Sequence, residues 1–144
     1  LNYAGVKLHR GWAEFQPFAE WYSSQPGFRL RWQLDKDLLL PGNKVYGPAR
    51  CCLLPRQINS DILIPKHGLR LPGARRHNTG WGAVGREAGK PKWLGSFPTE
   101  ADAHKAYCDY KEAGVKALAE EFKSQLCPKA YVALLRWTVT EYMV

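Results

Sequence analysis

The chain of 144 residues lacks any apolar run near the roughly 20 residues that a bilayer-spanning helix needs, and it lacks a signal-peptide pattern. No membrane partner is expected, and the expected location is cytoplasmic. Its four cysteines, Cys51, Cys52, Cys108 and Cys127, have no paired metal-ligand spacing. Adjacent Cys51 and Cys52 would point to opposite faces of a strand, which suits neither a shared zinc nor a mutual disulfide. Reduced, buried thiols are the expectation. No internal repeat or low-complexity tract is present. The chain opens on Leu1, as a fragment or a processed chain would. Acid is scarce as well: 13 Asp and Glu stand against 21 Lys and Arg, for a net charge of +8 and a pI near 9.5. The shortage is sharpest between Lys66 and Lys92, where Glu87 alone faces Lys66, Arg70, Arg75, Arg76, Arg86, Lys90 and Lys92. Six of the eight net charges lie there. Cations concentrated on a short segment with interleaved aromatics suit a phosphate backbone, so nucleic acid is the first partner to consider.

The hydrophobic fraction of 45% and six tryptophans belong to a folded globular chain. Its patterning predicts an α+β fold in three sections, 1–63, 64–126 and 127–144. In the first, Trp12, Phe15, Phe18, Trp21 and Tyr22 recur at helical spacing, with Pro17 in the first turn and Gln25-Pro26-Gly27 as the stop. Rings this large and regular predict a buried face. Arg31 to Asp35 alternates like a strand, Pro41-Gly42-Asn43-Lys44 is a turn, Cys51 to Leu54 is a second strand, and Gln57 to Leu63 can turn helical. The second section, from Ile64 to Phe97, predicts a three-stranded antiparallel meander with turns at His77-Asn78-Thr79-Gly80 and Ala88-Gly89-Lys90-Pro91. The glycines of Gly80-Trp81-Gly82-Ala83-Val84-Gly85-Arg86 let something approach the middle strand closely. Thr99 and Asp102 then form a capping box for a helix, with Glu100 also in its first turn. The helix carries an apolar stripe of Ala103, Ala106, Tyr107, Tyr110, Ala113, Leu118 and Phe122. Cys127-Pro128 breaks it, and Lys129 to Met143 predicts a last helix.

Residues 73–107 resemble the DNA-binding domain of plant ethylene-response factors, the Apetala type. Gly73-Ala74-Arg75 stands for its Gly-Val-Arg opening, and Trp81 to Arg86 for its middle strand. Trp93-Leu94-Gly95-Ser96-Phe97 matches its Trp-Leu-Gly-Thr-Phe, and Thr99 to Tyr107 its Thr-x-x-x-Ala-x-x-Ala-Tyr helix. The resemblance implies a sheet laid on the major groove of double-stranded DNA and braced from behind by the helix, with Arg75, Arg86 and Trp93 facing the duplex. Charge adds Arg76, His77, Lys90 and Lys92 to that expected surface, and Trp81 is interleaved with them. Arginine can grip guanine edges with two donors, whereas lysine mainly neutralises phosphate. Val84 and Gly85 replace the family's Glu-Ile pair, so its base preference does not carry over.

Residues 1–60 resemble phage-encoded relatives of HNH homing endonucleases. The likeness lies in Gly5-Val6, Trp12-x-x-Phe15-x-x-Phe18-x-x-Trp21, Leu34 to Leu39, Gly42 to Pro48, Cys51 to Pro55 and Gln57-Ile58-Asn59. Such relatives carry a further upstream stretch, with a Trp and an Arg-Cys pair, that is missing here. The resemblance implies a small ββα hairpin holding one divalent cation, Mg2+ or another, against the scissile phosphate. Asp35 and Asn59 would be its ligands, with Asp37 assisting. Lys36 stands where the family has its histidine base. A lysine of ordinary pKa, about 10.4, cannot accept a proton at neutral pH, so its expected role is phosphate contact. Proton transfer would then fall to metal-bound water or to His9 or His67. Two functions from different classes follow: metal-dependent cleavage or nicking of DNA, and DNA binding alone, as a regulator or a phage inhibitor of host defence. A protein–protein adaptor is a third, and it leaves the arginine-bearing sheet unexplained.

Overall fold

Three hairpin-forming strands and one 22-residue helix organise the molecule. The structure, a computed structural model, describes residues 4–62 and 71–142; expectations placed on Lys66, His67 and Arg70 lie outside the described residues. The chain is α+β. Strand β1 (Lys7–Leu8) leads into a 3-10 turn (Arg10–Trp12) and helix α1 (Phe15–Ser24). Next come β2 (Gln33–Asp35), β3 (Val45–Tyr46), β4 (Cys52–Leu54) and helix α2 (Arg56–Ile62). Strands β5 (Ala74–His77), β6 (Gly80–Glu87) and β7 (Lys90–Phe97) form an antiparallel meander in that order, followed by helices α3 (Glu100–Glu121), α4 (Pro128–Arg136) and α5 (Val139–Tyr142). β2 and β4 pair antiparallel ahead of α2, so a ββα order is present. β1 pairs parallel with β3, a contact that alternation over two residues does not announce.

Thr99 caps α3 as its spacing predicts: its hydroxyl oxygen accepts the Asp102 amide at 3.1 Å and donates to the Asp102 carboxylate at 2.6 Å. The helix's buried stripe runs through Ala103, Val115 and Ala119, while Ala113 faces solvent. The expected last helix is two: the chain extends at Trp137 (φ −60°, ψ 134°), sinking that indole to 1% exposure. The Glu112 carboxylate then accepts the Val139 amide at 3.0 Å to start α5. Burial of one large ring outweighs the single backbone bond that a continuous helix would gain.

The aromatic helix also departs from expectation. Trp12, in the 3-10 turn, is buried, but no residue of α1 is, and Phe15 is 77% exposed. Phe18 and Trp21 pack on the Trp12 ring, and Tyr22 alone of the helix's rings reaches the core. Elsewhere one core joins the sections. Leu38, Leu54 and Ile58 from the ββα region share it with Val115, Leu134 and Trp137. Trp32 meets Phe122 edge-on at 5.8 Å. Each such buried aliphatic or aromatic side chain stabilises by about 1.5–3 kcal/mol, so α3 serves the sheet with its first half and the ββα region with its second.

Candidate nucleic-acid interface

Side chains alternate across a strand, so register assigns each expected residue to a face. Arg75 pairs with Gly82, and Gly82 with Ser96; His77 pairs with Gly80. Between Ala83 and Val84 the register slips: Ala83 faces Gly95 but Val84 faces Trp93, leaving Leu94 as the extra residue of a bulge. The bulge, with Gly95 at φ 144°, turns Trp93 onto the side of Gly82. There its indole lies across the bare glycine; a Cβ at Gly82 would stand 2.2 Å from its ring. The Arg75 guanidinium sits 5.3 Å from the Trp93 ring centre, and the His77 ring meets it edge-on at 4.7 Å. Arg86 follows two residues after Val84 on the same face. This open side therefore gathers Arg75, His77, Arg86 and Trp93, with Trp93 43% exposed.

The pleat divides the remaining expected residues from these. Arg76 and Trp81 are paired neighbours on the opposite side, the guanidinium 4.9 Å from the ring centre. Lys92 shares that side: its ammonium lies 5.5 Å over the Tyr110 ring and 2.6 Å from the Glu87 carboxylate, which raises its pKa. Lys90 closes the β6–β7 hairpin opposite Glu87. Charge alone groups all these cations, and the two-residue period separates them.

Helix α3 braces the closed side. Tyr107 and Tyr110 lie against Gly73 and Gly85, where added Cβ atoms would stand 2.0 and 2.5 Å from the rings. The Tyr110 hydroxyl donates to the Arg86 carbonyl at 2.9 Å, and His104 Nδ1 sits 2.7 Å from the Pro72 carbonyl. Glycines at these points bring helix and strands close enough for the tyrosines to lock the arginine-bearing backbone.

The ββα region has the opposite character. Asp35, 6% exposed, accepts the amides of Asp37 and Leu38 through one oxygen at 2.9 and 2.7 Å. Burial raises its pKa most; the two amides oppose this, and Asp37 adds to it. The Lys36 ammonium binds Asp37 at 2.6 Å and the Asn43 carbonyl at 2.9 Å. Asn43, buried, clamps the loop: its amide donates to the carbonyls of Lys36 and Val45 and accepts the Val45 N–H. The sequence marked Asn43 only as a turn residue. Asn59 turns its amide to Gln33 at 3.0 Å. His9 accepts the Gly11 amide to cap its 3-10 turn.

A magnesium site needs several oxygen donors converging on a place that water and phosphate can reach. The arrangement around Asp35 does not fit that requirement. One Asp35 oxygen closes a buried turn, Asp37 is held by an ammonium, and Asn59 is bonded to another side chain. Among the described residues no three His, Cys, Asp or Glu side chains gather as metal ligands. Catalytic roles for Asp35, Lys36, Asp37 and Asn59 therefore gain no support from their geometry.

All four cysteines are free thiols, and Cys51 and Cys52 are buried. Burial pushes both upward and takes the half-buried Cys108 to about 11. No helix among the described residues is long and apolar enough to cross a membrane. Comparison with protein-family models, curated proteins and solved structures finds no match for the chain.

Proposed function

We propose that this chain binds double-stranded DNA through the open face of β5–β7 and that its ββα region serves as scaffold rather than nuclease. One observation carries the proposal: Trp93, packed on Gly82, has Arg75 and His77 against it on an exposed surface, with Arg86 further along. Arginine's planar fork suits guanine edges and phosphates alike, and stacking on an aromatic ring reduces the freedom it loses on binding. The braced backbone presents both arginines at fixed separation, which favours sequence-directed contact. In a gel-shift series, Arg75→Ala with Arg86→Ala should cut duplex affinity at least about tenfold. It should also flatten the salt dependence, by about one unit of slope for each phosphate left without its cation. Unchanged binding by the double variant would refute the assignment.

A second reading, metal-dependent nicking, is favoured by the ββα order with Asp35 at a strand end. Supercoiled plasmid incubated with Mg2+ or Mn2+ separates the two. The scaffold reading expects intact plasmid with the parent protein. Nicking by the parent and not by Asp35→Ala establishes the enzyme instead.

A further inference from the structure

We infer a second nucleic-acid contact, separate from the sheet, in which the aromatic surface of α1 and the turn after it take an unpaired single strand. Phe15, Phe18, Tyr22 and Phe28 form a ladder of rings whose successive centres are 6.4, 5.5 and 5.5 Å apart. The ladder is open at both ends, with Phe15 77% and Phe28 39% exposed. Its far end is anchored, because the Tyr22 hydroxyl donates to the Trp32 carbonyl and Gly27 packs directly on the buried Trp32 ring.

The turn beyond Phe28 supplies the charge. The Trp32 amide donates to the Gly27 carbonyl and the Arg31 amide to the Phe28 carbonyl, the pair of bonds that ends helices in a Schellman motif. Its left-handed position, where glycine is the usual residue, holds Arg31 at φ 55°. An arginine kept in a conformation that disfavours side chains points to a use for its guanidinium. Arg10, Arg29 and Arg31 are exposed and make no ion pair among the described residues, while Glu20 of α1 is bonded by Gln16.

An exposed ring at each end, Phe15 and Phe28, with exposed guanidinium groups in the adjoining turns, matches a flexible strand, whose bases are free to stack and whose phosphates need cations. A duplex hides its base faces inside the helix, so it gains little from such a ladder. An anionic bilayer would use the same charges but requires an apolar face to sink into it. Glu14 and Glu20 on this helix disfavour that.

Fluorescence anisotropy with a labelled 20-mer of oligothymidylate, beside a labelled 20-base-pair duplex, tests the proposal in the full chain. Phe15→Ala and the pair Arg29→Glu with Arg31→Glu are each expected to weaken oligothymidylate binding at least about fivefold. Both should leave duplex affinity within twofold. Arg75→Ala with Arg86→Ala should do the reverse, so failure of this proposal and failure of the sheet assignment give different patterns. Phe15 is too exposed for its loss to unfold the chain, and equal melting temperatures would check this. The inference is overturned if these variants bind oligothymidylate like the parent, or if only the sheet variant loses it. It is equally overturned if Phe15→Ala abolishes binding to phosphatidylserine vesicles or self-association in sedimentation while oligothymidylate binding persists.

Discussion

The sheet of β5–β7 and the ββα region both carry polar chemistry at strand ends, and they spend it in opposite directions. On the sheet, glycines clear space and Arg75, His77, Arg86 and Trp93 turn outward with much of their hydrogen-bonding capacity unused. In the ββα region, Asp35, Lys36 and Asn43 turn inward and satisfy one another and their own backbone. A surface that meets a partner keeps donors available; a loop that must hold its shape consumes them. Polar side chains thus stay open on one region and are consumed by architecture in the other, and burial separates the two.

The sharpest way to break this contrast is at the sheet. Beyond the arginine pair, Gly82→Val would push a branched side chain into the space of the Trp93 ring and expel the indole from its bed. Duplex affinity should fall about tenfold, because the displaced ring no longer holds the Arg75 guanidinium in place for a guanine edge or a phosphate. Stability should change little, because the ring is already 43% exposed. Gel shift and thermal melting on the same preparation check both halves. Melting lowered by many degrees with affinity retained in the folded fraction would mean that Trp93 is core rather than binding surface.

Gly85→Val probes the braced side and should act in reverse. Its Cβ would stand 2.5 Å from the Tyr110 ring, so α3 must move off the sheet. Overpacking of this kind costs about 1–3 kcal/mol, seen as a lower denaturant midpoint. Affinity should decline only through the loosened Arg86 backbone, whose carbonyl Tyr110 holds.

Much of the fold was legible in the sequence, whereas the inward turn of the ββα polar groups was not, since Asp35, Lys36, Asp37 and Asn59 read there as a metal site. The meander turns at Asn78-Thr79 and Ala88-Gly89, the Thr99 cap and the ββα order follow from local punctuation, which acts over a few residues. The facing of Trp93 does not: plain alternation from Ser96 would put Lys92, not Trp93, on the open side, and the Leu94 bulge reverses them. Nor does the role of Asn43, since its clamp joins backbone groups at Lys36 and Val45 that only the folded loop brings together. The stripe on α1 was legible as periodicity, but periodicity does not say whether anything covers it.

A milder test lies in acid–base behaviour within the ββα region. Burial raises the Asp35 pKa from 3.8, so the folded state holds that proton more tightly than the unfolded chain. The resulting contribution to stability is complete below the unfolded pKa and is lost as pH rises through the folded one. Asp35→Asn keeps an oxygen for the Asp37 and Leu38 amides but carries no charge. Its melting temperature should therefore gain on the parent's as pH climbs from about 4 to 7. A gap that moves the other way would show a carboxylate stabilised as an anion, as a cation site needs, and would erase the contrast between the two regions.

The smallest expected effect refines the sheet rather than breaking it. The β6–β7 hairpin turns on Ala88 at φ 49° and Gly89 at φ 78°, both left-handed, between the paired Glu87 and Lys90. Such two-residue turns favour Asn-Gly, because asparagine's short polar side chain tolerates a conformation that disfavours alanine. The neighbouring β5–β6 turn already uses Asn78 at φ 50°. Ala88→Asn should accordingly stabilise by about 1 kcal/mol or less, a rise of about 2–4 °C in melting temperature. Hydrogen exchange should slow along β6 and β7 and stay unchanged at β2 and β4. If protection rises equally in both regions, the shared helix α3 couples them into one cooperative unit, and a ligand on the sheet would then stabilise the Asp35 loop as well.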